Sequence, residues 1–234
     1  MDKQRIRERV WDELEDSGEA RFPFPPHDRI PNFAGADAAC ERLRELDAWQ
    51  AAETIKANPD APQLPVRRAA MRAGKTVYMA VPRLRDEKCF LRLDPAAVDD
   101  IDDATTVGGS AEAGVQVGPE EMPAIDMIVA GSVAVDHRGG RIGKGEGYSD
   151  LEFGVLREFG LVDDGTPTVT TVHEMQVSED PLPTGSHDVP LEWVLTPERT
   201  IETDSPAAKP SGIDWGTIDA ERRAEIPVLD RLAE

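Results

Sequence analysis

The residues of this sequence that are best suited to chemistry lie in one glycine-rich stretch. Residues 143–148 read GKGEGY, so that glycine fills every second position from Gly143, and Arg141 comes two residues earlier. A glycine loop that leads into a helix presents free backbone N–H groups and the positive end of the helix dipole, which suits phosphate. Arg141 and Lys144 add two cations to this loop. The pattern therefore predicts a phosphate-binding site.

The glycine pattern matches neither GxGxxG nor GxxxxGK[ST], the two common nucleotide-binding motifs. A glycine-rich surface turn with two solvated cations is the alternative interpretation. Two features favour a site: the cations lie inside the glycine run, and Tyr148 and the carboxylate of Asp150 follow at once. Asp150 is a possible metal ligand, since Mg²⁺ prefers carboxylate and phosphate oxygens.

The elements on either side must position this loop. Residues 126–130, DMIVA, form the short apolar run of a strand buried on both faces, and residues 133–135 are expected to prolong it. Ser149 and Asp150 are good N-cap residues, and apolar residues follow them at helical spacing. We therefore predict a strand, a glycine turn and a helix.

A second pair of cations lies near the N-terminus. Residues 2–17 have the apolar stripe of an amphipathic helix, and Lys3 and Arg7 stand four positions apart. They share a helix face and could bind one anion together. The sequence alone favours the simpler interpretation, a solvated cationic edge.

The rest of the chain alternates helices with strands, which predicts an α/β sandwich around a mainly parallel sheet. Predicted helices cover residues 36–56, as one helix or two, and residues 66–73. Predicted strands cover residues 76–81, 89–91, 168–173, 191–195 and 200–203. Residues 99–118 are expected to be an exposed loop. We predict one α/β domain over residues 1–203 and a peripheral tail over residues 204–234.

Composition limits the function classes. The 234 residues carry 46 acidic and 26 basic side chains, a net charge of −20, and only 6 of the basic residues are lysine. Acid-rich, lysine-poor surfaces are typical of proteins that work in concentrated salt, so we expect a salt-adapted cytoplasm; an ordinary acidic protein is the alternative. A nucleic-acid binder would need a basic face, so we expect no nucleic-acid partner.

The two cysteines are too few for a disulfide framework, and no segment approaches the ~20 apolar residues that span a bilayer. We therefore expect a soluble cytoplasmic protein that does not contact membranes. Its oligomeric state is expected to be a monomer or a weak homodimer.

The run from Ile128 to Asp150 resembles the signature of the 5-formyltetrahydrofolate cyclo-ligase family. In that signature a strand is followed by G-x-R-x-G-x-G-x-G-Y-Y-D, and residues 139–150 here read GGRIGKGEGYSD. The resemblance covers roughly residues 3–203. It is closest to the divergent branch that includes methenyltetrahydrofolate synthase domain-containing proteins, with markers at residues 29–33, 81–85, 143–151 and 193–197.

The resemblance implies a three-layer α/β/α sandwich similar to the ribose-5-phosphate isomerase and CoA-transferase group. It also implies ATP- and Mg²⁺-dependent closure of a reduced folate, 5-formyltetrahydrofolate, to 5,10-methenyltetrahydrofolate. The residues that it implies for ATP binding are Lys3, Arg7, Arg141, Gly143, Lys144, Gly145, Gly147 and Tyr148. It implies catalytic roles for Arg141, Lys144 and Tyr148, and Mg²⁺ ligands at Asp150 and Asp188.

The sequence departs from the family pattern where substrate would be recognised. Gly131-Ser132 replaces Pro-Gly, Ser149 replaces the second tyrosine, and Glu146 places a negative charge inside the phosphate loop, where it could repel ATP or bind metal. The family's folate-binding glutamate has no clear counterpart. Two alternatives follow: an ATP-dependent enzyme that acts on another small heterocycle, and a non-catalytic binding or regulatory module.

Overall fold

The structure, a computed structural model, describes residues 2–205 and 207–233. Its helices are α1 Lys3–Asp16, α2 Ala36–Arg44, α3 Asp47–Ala51, α4 Leu64–Arg72, α5 Ile101–Ala104, α6 Val107–Ala113, α7 Tyr148–Glu158, α8 Ala220–Glu225 and α9 Pro227–Leu232. Its strands are β1 Ala20–Arg21, β2 Asn32–Phe33, β3 Thr54–Ala57, β4 Thr76–Ala80, β5 Phe90–Leu93, β6 Val115–Val117, β7 Met127–Val129, β8 Ala134–Asp136, β9 Arg141–Ile142, β10 Thr168–Thr171, β11 Val177–Ser178, β12 Trp193–Leu195 and β13 Thr200–Glu202.

An eight-stranded sheet forms the centre, in the order β13-β12-β10-β7-β3-β4-β5-β6. The five strands from β12 to β4 pair in parallel, and β13, β5 and β6 add antiparallel edges. Parallel strands are buried on both faces, which explains the continuous apolar run in β7. The predicted mainly parallel sheet is confirmed.

The side chains of β7 alternate between two cores. Met127 and Val129 join the cluster that α2, α3 and α4 cover, whereas Ile128 joins the cluster that α7 and α9 cover. Both faces of the sheet are therefore packed against helices, as the period of two along a strand requires. This confirms the predicted α/β/α sandwich.

The prediction that residues 133–135 prolong the strand of residues 126–130 is wrong. The chain leaves the main sheet after β7, and β8 belongs to a separate three-stranded sheet in the order β11-β8-β9. Gly131 lies at the break, where a Cβ atom would stand only 2.9 Å from the Asp60 carboxylate. The backbone passes this carboxylate too closely for a side chain, so only glycine fits at this point of the chain.

The helix predicted over residues 36–56 is wrong at its end, because residues 54–57 form β3. This strand pairs with β4 on one side and β7 on the other, at the centre of the sheet. Its segment, Thr-Ile-Lys-Ala, begins with two β-branched residues that favour a strand. The predicted helix nevertheless extends the apolar pattern of the preceding residues through Lys56. The segment forms a strand because it pairs with a neighbouring strand on each side.

The loop predicted over residues 99–118 is also wrong. Two short helices and β6 occupy this segment, and a side chain caps each helix. Asp100 accepts hydrogen bonds from the backbone N–H groups of Asp102 (2.9 Å) and Asp103 (3.2 Å), and Thr106 accepts one from Gly109 (3.0 Å). Such caps satisfy N–H groups that a helix start leaves free.

The C-terminal segment is not peripheral, contrary to the prediction. Ile226, Val228 and Leu229 are at most 1% exposed and belong to the core that α7 covers. These three side chains close one face of the sandwich. The boundary itself, between residues 203 and 204, stays a prediction. Among the described residues no helix is long and apolar enough to cross a membrane.

Candidate active site

The candidate site is a cavity of about 320 Å³ at the carboxyl ends of the parallel strands. The segments that follow β3 and β4, Gly131 beyond the end of β7, and the glycine loop with the start of α7 enclose it. Its lining residues are Ile30, Asn58, Pro59, Asp60, Ala80, Val81, Pro82, Arg83, Gly131, Arg141, Gly143, Lys144, Glu146, Gly147, Tyr148, Ser149, Asp150 and Glu152. This edge of an open α/β sheet is where ligands bind.

The glycine loop takes a conformation that other residues rarely adopt. Gly145 has φ +112° and Gly147 has φ +70°, both in the left-handed region. Helix α7 begins directly after Gly147, so Ser149 and Asp150 lie in its first turn and the predicted N-cap role of both is wrong. Among residues 2–205 and 207–233 no side chain caps this helix start, and the first N–H groups of a helix point away from its body, here toward the loop.

Arg141 and Asp150 form a buried ion pair beneath the loop. Arg141 Nη2 donates to Asp150 Oδ1 at 2.5 Å, and its Nη1 donates to the Gly131 carbonyl at 3.0 Å. Burial acts to lower the pKa of Arg141, but the Asp150 carboxylate outweighs it and the pKa is raised. Arg141 is therefore charged and fixes the position of Asp150.

Lys3 and Arg7, both in α1, contact the loop of Asp188 and the glycine loop, respectively. Lys3 Nζ stands 2.7 Å from Asp188 Oδ2, and Arg7 Nε donates to the Gly143 carbonyl at 2.7 Å. Burial lowers the pKa of Arg7. The N–H of Val189 donates to Asp150 Oδ1 at 3.0 Å, so the loop that carries Asp188 is joined to Asp150.

Lys144 is paired within its own loop. Its Nζ stands 2.7 Å from Glu146 Oε2, and Arg83 Nη2 stands 3.6 Å from Glu146 Oε1. The hydrogen bond from Lys144 lowers the pKa of Glu146, and the charges of Arg83 and Arg222 act in the same direction. Glu146 is thus an ionised carboxylate surrounded by cations.

The inner wall of the cavity carries a polar cluster that sequence reasoning missed. Lys56, 1% exposed, donates to Asn58 Oδ1 at 2.8 Å and to the carboxylate of Glu152, which is 6% exposed. Burial raises the pKa of Asp60, against the attraction of Lys144 and Arg67. The signal available in the sequence was a lysine between apolar residues in β3, which was assigned to a helix.

The C-terminal segment also reaches the site. Arg222, in α8, lies over the ring of Tyr148, with 4.8 Å between its Cζ and the ring centroid. It also donates to the Glu146 carbonyl at 2.9 Å. An arginine over an aromatic face is attracted by the ring's quadrupole. Sequence reasoning missed Arg222 because it lies 74 residues beyond Tyr148, in the segment treated as a tail.

A family model described as the 5-formyltetrahydrofolate cyclo-ligase family matches residues 1–197. The chain belongs to the 5-formyltetrahydrofolate cyclo-ligase family. Relatives support the same family. A methenyltetrahydrofolate synthase domain-containing protein of Mus musculus is 43% identical over 238 residues, which cover 100% of this chain and 64% of the relative. The Homo sapiens protein of that name is 39% identical, with 99% of this chain and 61% of the relative covered.

The chain thus spans less than two thirds of the length of these two relatives. Among solved structures, the NMR structure of Aquifex aeolicus 5,10-methenyltetrahydrofolate synthetase is similar, with a TM-score of 0.55 and 18% identity. The match covers 86% of this chain and 93% of that one. At this identity the similarity supports the fold.

The cyclo-ligase residues expected from the sequence divide into two groups. Arg141, Gly143, Lys144, Gly147, Tyr148 and Asp150 line the cavity. Lys3, Arg7, Gly145 and Asp188 do not line it but contact residues around it. Asp188 lines a second cavity of about 180 Å³, which adjoins the first because Arg141 lines both. The roles of all ten residues stay predictions.

Proposed function

We propose that this protein is an ATP-dependent 5-formyltetrahydrofolate cyclo-ligase that forms 5,10-methenyltetrahydrofolate, ADP and phosphate. One observation carries the proposal: Arg141, Lys144, Tyr148 and Asp150 meet around one cavity at the carboxyl edge of the sheet. The cavity is concave, has mixed polarity and is enclosed by a glycine loop, as small-molecule sites are.

The proposed chemistry activates a poor leaving group. The formyl oxygen of the substrate attacks the γ-phosphorus of ATP, and ADP leaves. N10 then attacks the formyl carbon, the phosphorylated oxygen departs as phosphate, and N10 loses its proton, which leaves the carbon bridging N5 and N10. The protein contributes alignment of the formyl oxygen with the γ-phosphate and neutralisation of charge, as in other phosphoryl transfers.

The glycine loop and its cations are proposed to hold the phosphates. Lys144 lines the cavity, and the uncapped N–H groups at the start of α7 face the same loop. Arg7 donates to the Gly143 carbonyl, and its guanidinium lies 3.4 Å from the position that a Cβ atom on Gly145 would take, so it supports the loop. Lys3 is proposed to act with Arg7 on the outer phosphate.

Asp150 and Asp188 are proposed to hold Mg²⁺. The hydrogen bonds that Asp150 accepts from described residues all go to Oδ1, which leaves Oδ2 for a cation. One or two carboxylates with phosphate oxygens are a normal Mg²⁺ environment, so these residues fit the ion. When bound, Mg²⁺ supplies neutralisation of the phosphate charge. Arg141 orients Asp150, and Lys3 orients Asp188.

The inner wall is proposed to bind the reduced pteridine. Asp60 and Glu152 line it with carboxyl groups, which accept hydrogen bonds from the amino and ring N–H groups of such a heterocycle. Tyr148 lies between this wall and the glycine loop, next to both proposed substrates.

A product assay tests the proposal. Purified protein is incubated with Mg-ATP and 5-formyltetrahydrofolate in molar KCl, while the near-ultraviolet absorbance of the methenyl product and the release of ADP are followed. We expect both products in equal amounts. Lys144→Ala should lose activity with little change in melting temperature, and Lys88→Ala, in an exposed ion pair with Glu121, is the matched control. Equal loss of activity and stability in Lys144→Ala would make Lys144 structural.

A second candidate is an ATP-dependent enzyme that acts on another small heterocycle. Glu146 in the loop and the Lys56–Glu152 pair at the inner wall favour it, because both change the charge pattern that a substrate meets. Tight ATP binding without methenyl product would support this candidate. Absence of ATP binding would leave a non-catalytic module.

A further inference from the structure

The glycine loop holds a carboxylate in a place that suits an external anion. The Glu146 side chain contacts Lys144 at 2.7 Å and Arg83 at 3.6 Å, and Arg222 donates to its backbone carbonyl at 2.9 Å. Three cationic side chains from three separate segments therefore converge on one residue. All but Arg222 line the main cavity together with Glu146.

The cations of this cluster are accessible. The side chains of Lys144 and Arg83 are 38% and 51% exposed, and that of Glu146 is 37% exposed. A ligand in the cavity can therefore reach them without unfolding of the loop. The cavity lining also includes Gly147 and the first residues of α7, an 11-residue helix whose first N–H groups no described side chain caps. Such groups attract anions, and phosphate in particular.

The position of Arg83 is fixed by an unusual backbone. Arg83 and Leu84 have φ of +59° and +53°, a left-handed conformation that non-glycine residues seldom adopt. The turn follows Pro82 at the end of β4 and directs Arg83 to the rim of the cavity. Strained backbone that persists at a ligand site is commonly retained for positioning.

We propose that Glu146 is an internal competitor for the phosphate subsite of this cavity, and that a bound phosphate group displaces its carboxylate and takes Lys144 and Arg83 as ligands. Arg83 thereby becomes a phosphate-contacting residue. This inference rests on the proposed function only in its choice of phosphate as the ligand. Glu146 lowers the affinity for phosphate and so raises the concentration of ligand that fills the site.

Two other roles for Glu146 predict that its removal weakens binding or leaves it unchanged. If Glu146 bound the Mg²⁺ of Mg-ATP, its removal would weaken Mg-ATP binding. If the ion pairs only ordered the loop, removal would leave phosphate affinity unchanged, because half-exposed pairs contribute little to stability. Of these three roles only a competitor predicts tighter binding on removal. Repulsion of phosphate by an undisplaced Glu146 carboxylate would also tighten binding, but by a factor that does not depend on Arg83.

The test is calorimetric titration of inorganic tripolyphosphate, without metal, at constant ionic strength. Wild type, Glu146→Gln and the control Glu121→Gln are compared; Glu121 also pairs with a lysine, Lys88 at 2.9 Å, and neither residue lines the cavity. We expect Glu146→Gln to bind about tenfold more tightly, a change of ~1.4 kcal/mol. Glu121→Gln, which removes the same charge, should match the wild type.

Arg83 is tested in the same way. Arg83→Gln should weaken tripolyphosphate binding about tenfold, and in the double variant Glu146→Gln/Arg83→Gln the gain from the first change should fall well below tenfold. Circular dichroism melting checks that each variant is folded. A Glu146→Gln affinity equal to or weaker than that of wild type, or no binding by either protein, overturns the inference. The product assay is independent of this titration, so the proposed cyclo-ligase activity can fail while the anion subsite stands.

Discussion

Lys56 and Glu152 form an ion pair at the inner wall of the cavity, where their side chains are only 1% and 7% exposed. Taking two charges out of water is costly, and only their mutual contact and further hydrogen bonds offset that cost. Asn58 supplies one such bond to Lys56, at 2.8 Å. The pair is therefore sensitive to the loss of one partner.

We predict that Lys56→Met destabilises the protein by about 3–5 kcal/mol, because it leaves Glu152 buried without its cation. The double variant Lys56→Met/Glu152→Leu should recover most of this loss. Urea unfolding at neutral pH measures both. Lys88→Met, which breaks an exposed pair, should cost less than ~1 kcal/mol. An equal loss in the single and double variants would contradict the pairing argument.

Asp60 predicts a pH dependence of stability. Burial raises the pKa of its carboxyl group in the folded state. The folded state then binds more protons than the unfolded state between the unfolded pKa, ~3.9, and the higher folded pKa. Stability therefore falls as pH rises through this window, and the cost is present in full above the folded pKa.

Asp60→Asn should remove that cost. We expect the stability of Asp60→Asn relative to wild type to increase between pH 4 and pH 7, measured by urea unfolding at each pH. Asp99→Asn, at an exposed position, is the control and should show no such trend. If this relative stability stays constant or falls with pH, the ionised carboxyl group of Asp60 does not destabilise the folded state.

At the scale of elements, the C-terminal helices form part of the sandwich and of the site. Helix α9 places Val228 and Leu229 against α7, and α8 places Arg222 over Tyr148. Helix α7 begins at the glycine loop, so the tail packs on the element that positions the candidate site. Loss of this packing should therefore affect both stability and ligand binding.

We predict that Leu229→Ala destabilises the protein by about 2–5 kcal/mol, since the side chain is 0% exposed and leaves a cavity. Val115→Ala removes apolar atoms at a position that is 51% exposed and should change stability by about 0.5 kcal/mol or less. Urea unfolding measures both. A small effect of Leu229→Ala would restore the separate-tail description of residues 204–234.

The elements that sequence could predict are those with a clear period or a fixed motif. Helix α1, with its apolar stripe, and the β-branched strand β10 were predicted within two residues of their observed ends. The break after β7 could not be predicted, because β8 pairs with β9 and β11 in a separate sheet, and the local apolar pattern does not show which strands pair. Strand β3 was missed because its identity depends on pairing with two neighbours.

The same distinction holds for the site. The motif located Arg141, Lys144, Tyr148 and Asp150 on the cavity, because a loop and the helix after it are local in sequence. The ion pairs of these cations could not be predicted. Residue types show that Lys3 and Asp188 carry opposite charges, but only the fold shows that their atoms lie 2.7 Å apart.

At the scale of the whole molecule, the net charge of −20 has a physical consequence that does not depend on the candidate site. Like charges on one surface repel and destabilise the compact state. Salt reduces this repulsion, because the Debye length falls from ~10 Å at 0.1 M to ~3 Å at 1 M. The adaptation to a salty cytoplasm stays a prediction, and the response of stability to salt tests its physical basis.

We predict that raising KCl from 0.1 M to 1 M at pH 7.5 increases the melting temperature by about 4–8 °C, the shift that corresponds to ~2 kcal/mol for a chain of this size. Buried pairs such as Lys56–Glu152 are screened far less than the surface, so they should not offset the gain. Near the isoelectric point of about 4.5 the net charge disappears. The same salt step at pH 5 should therefore give a much smaller increase. An equal increase at both pH values would assign the effect to general salt exclusion, and a decrease at pH 7.5 would show that attractive surface pairs outweigh the repulsion.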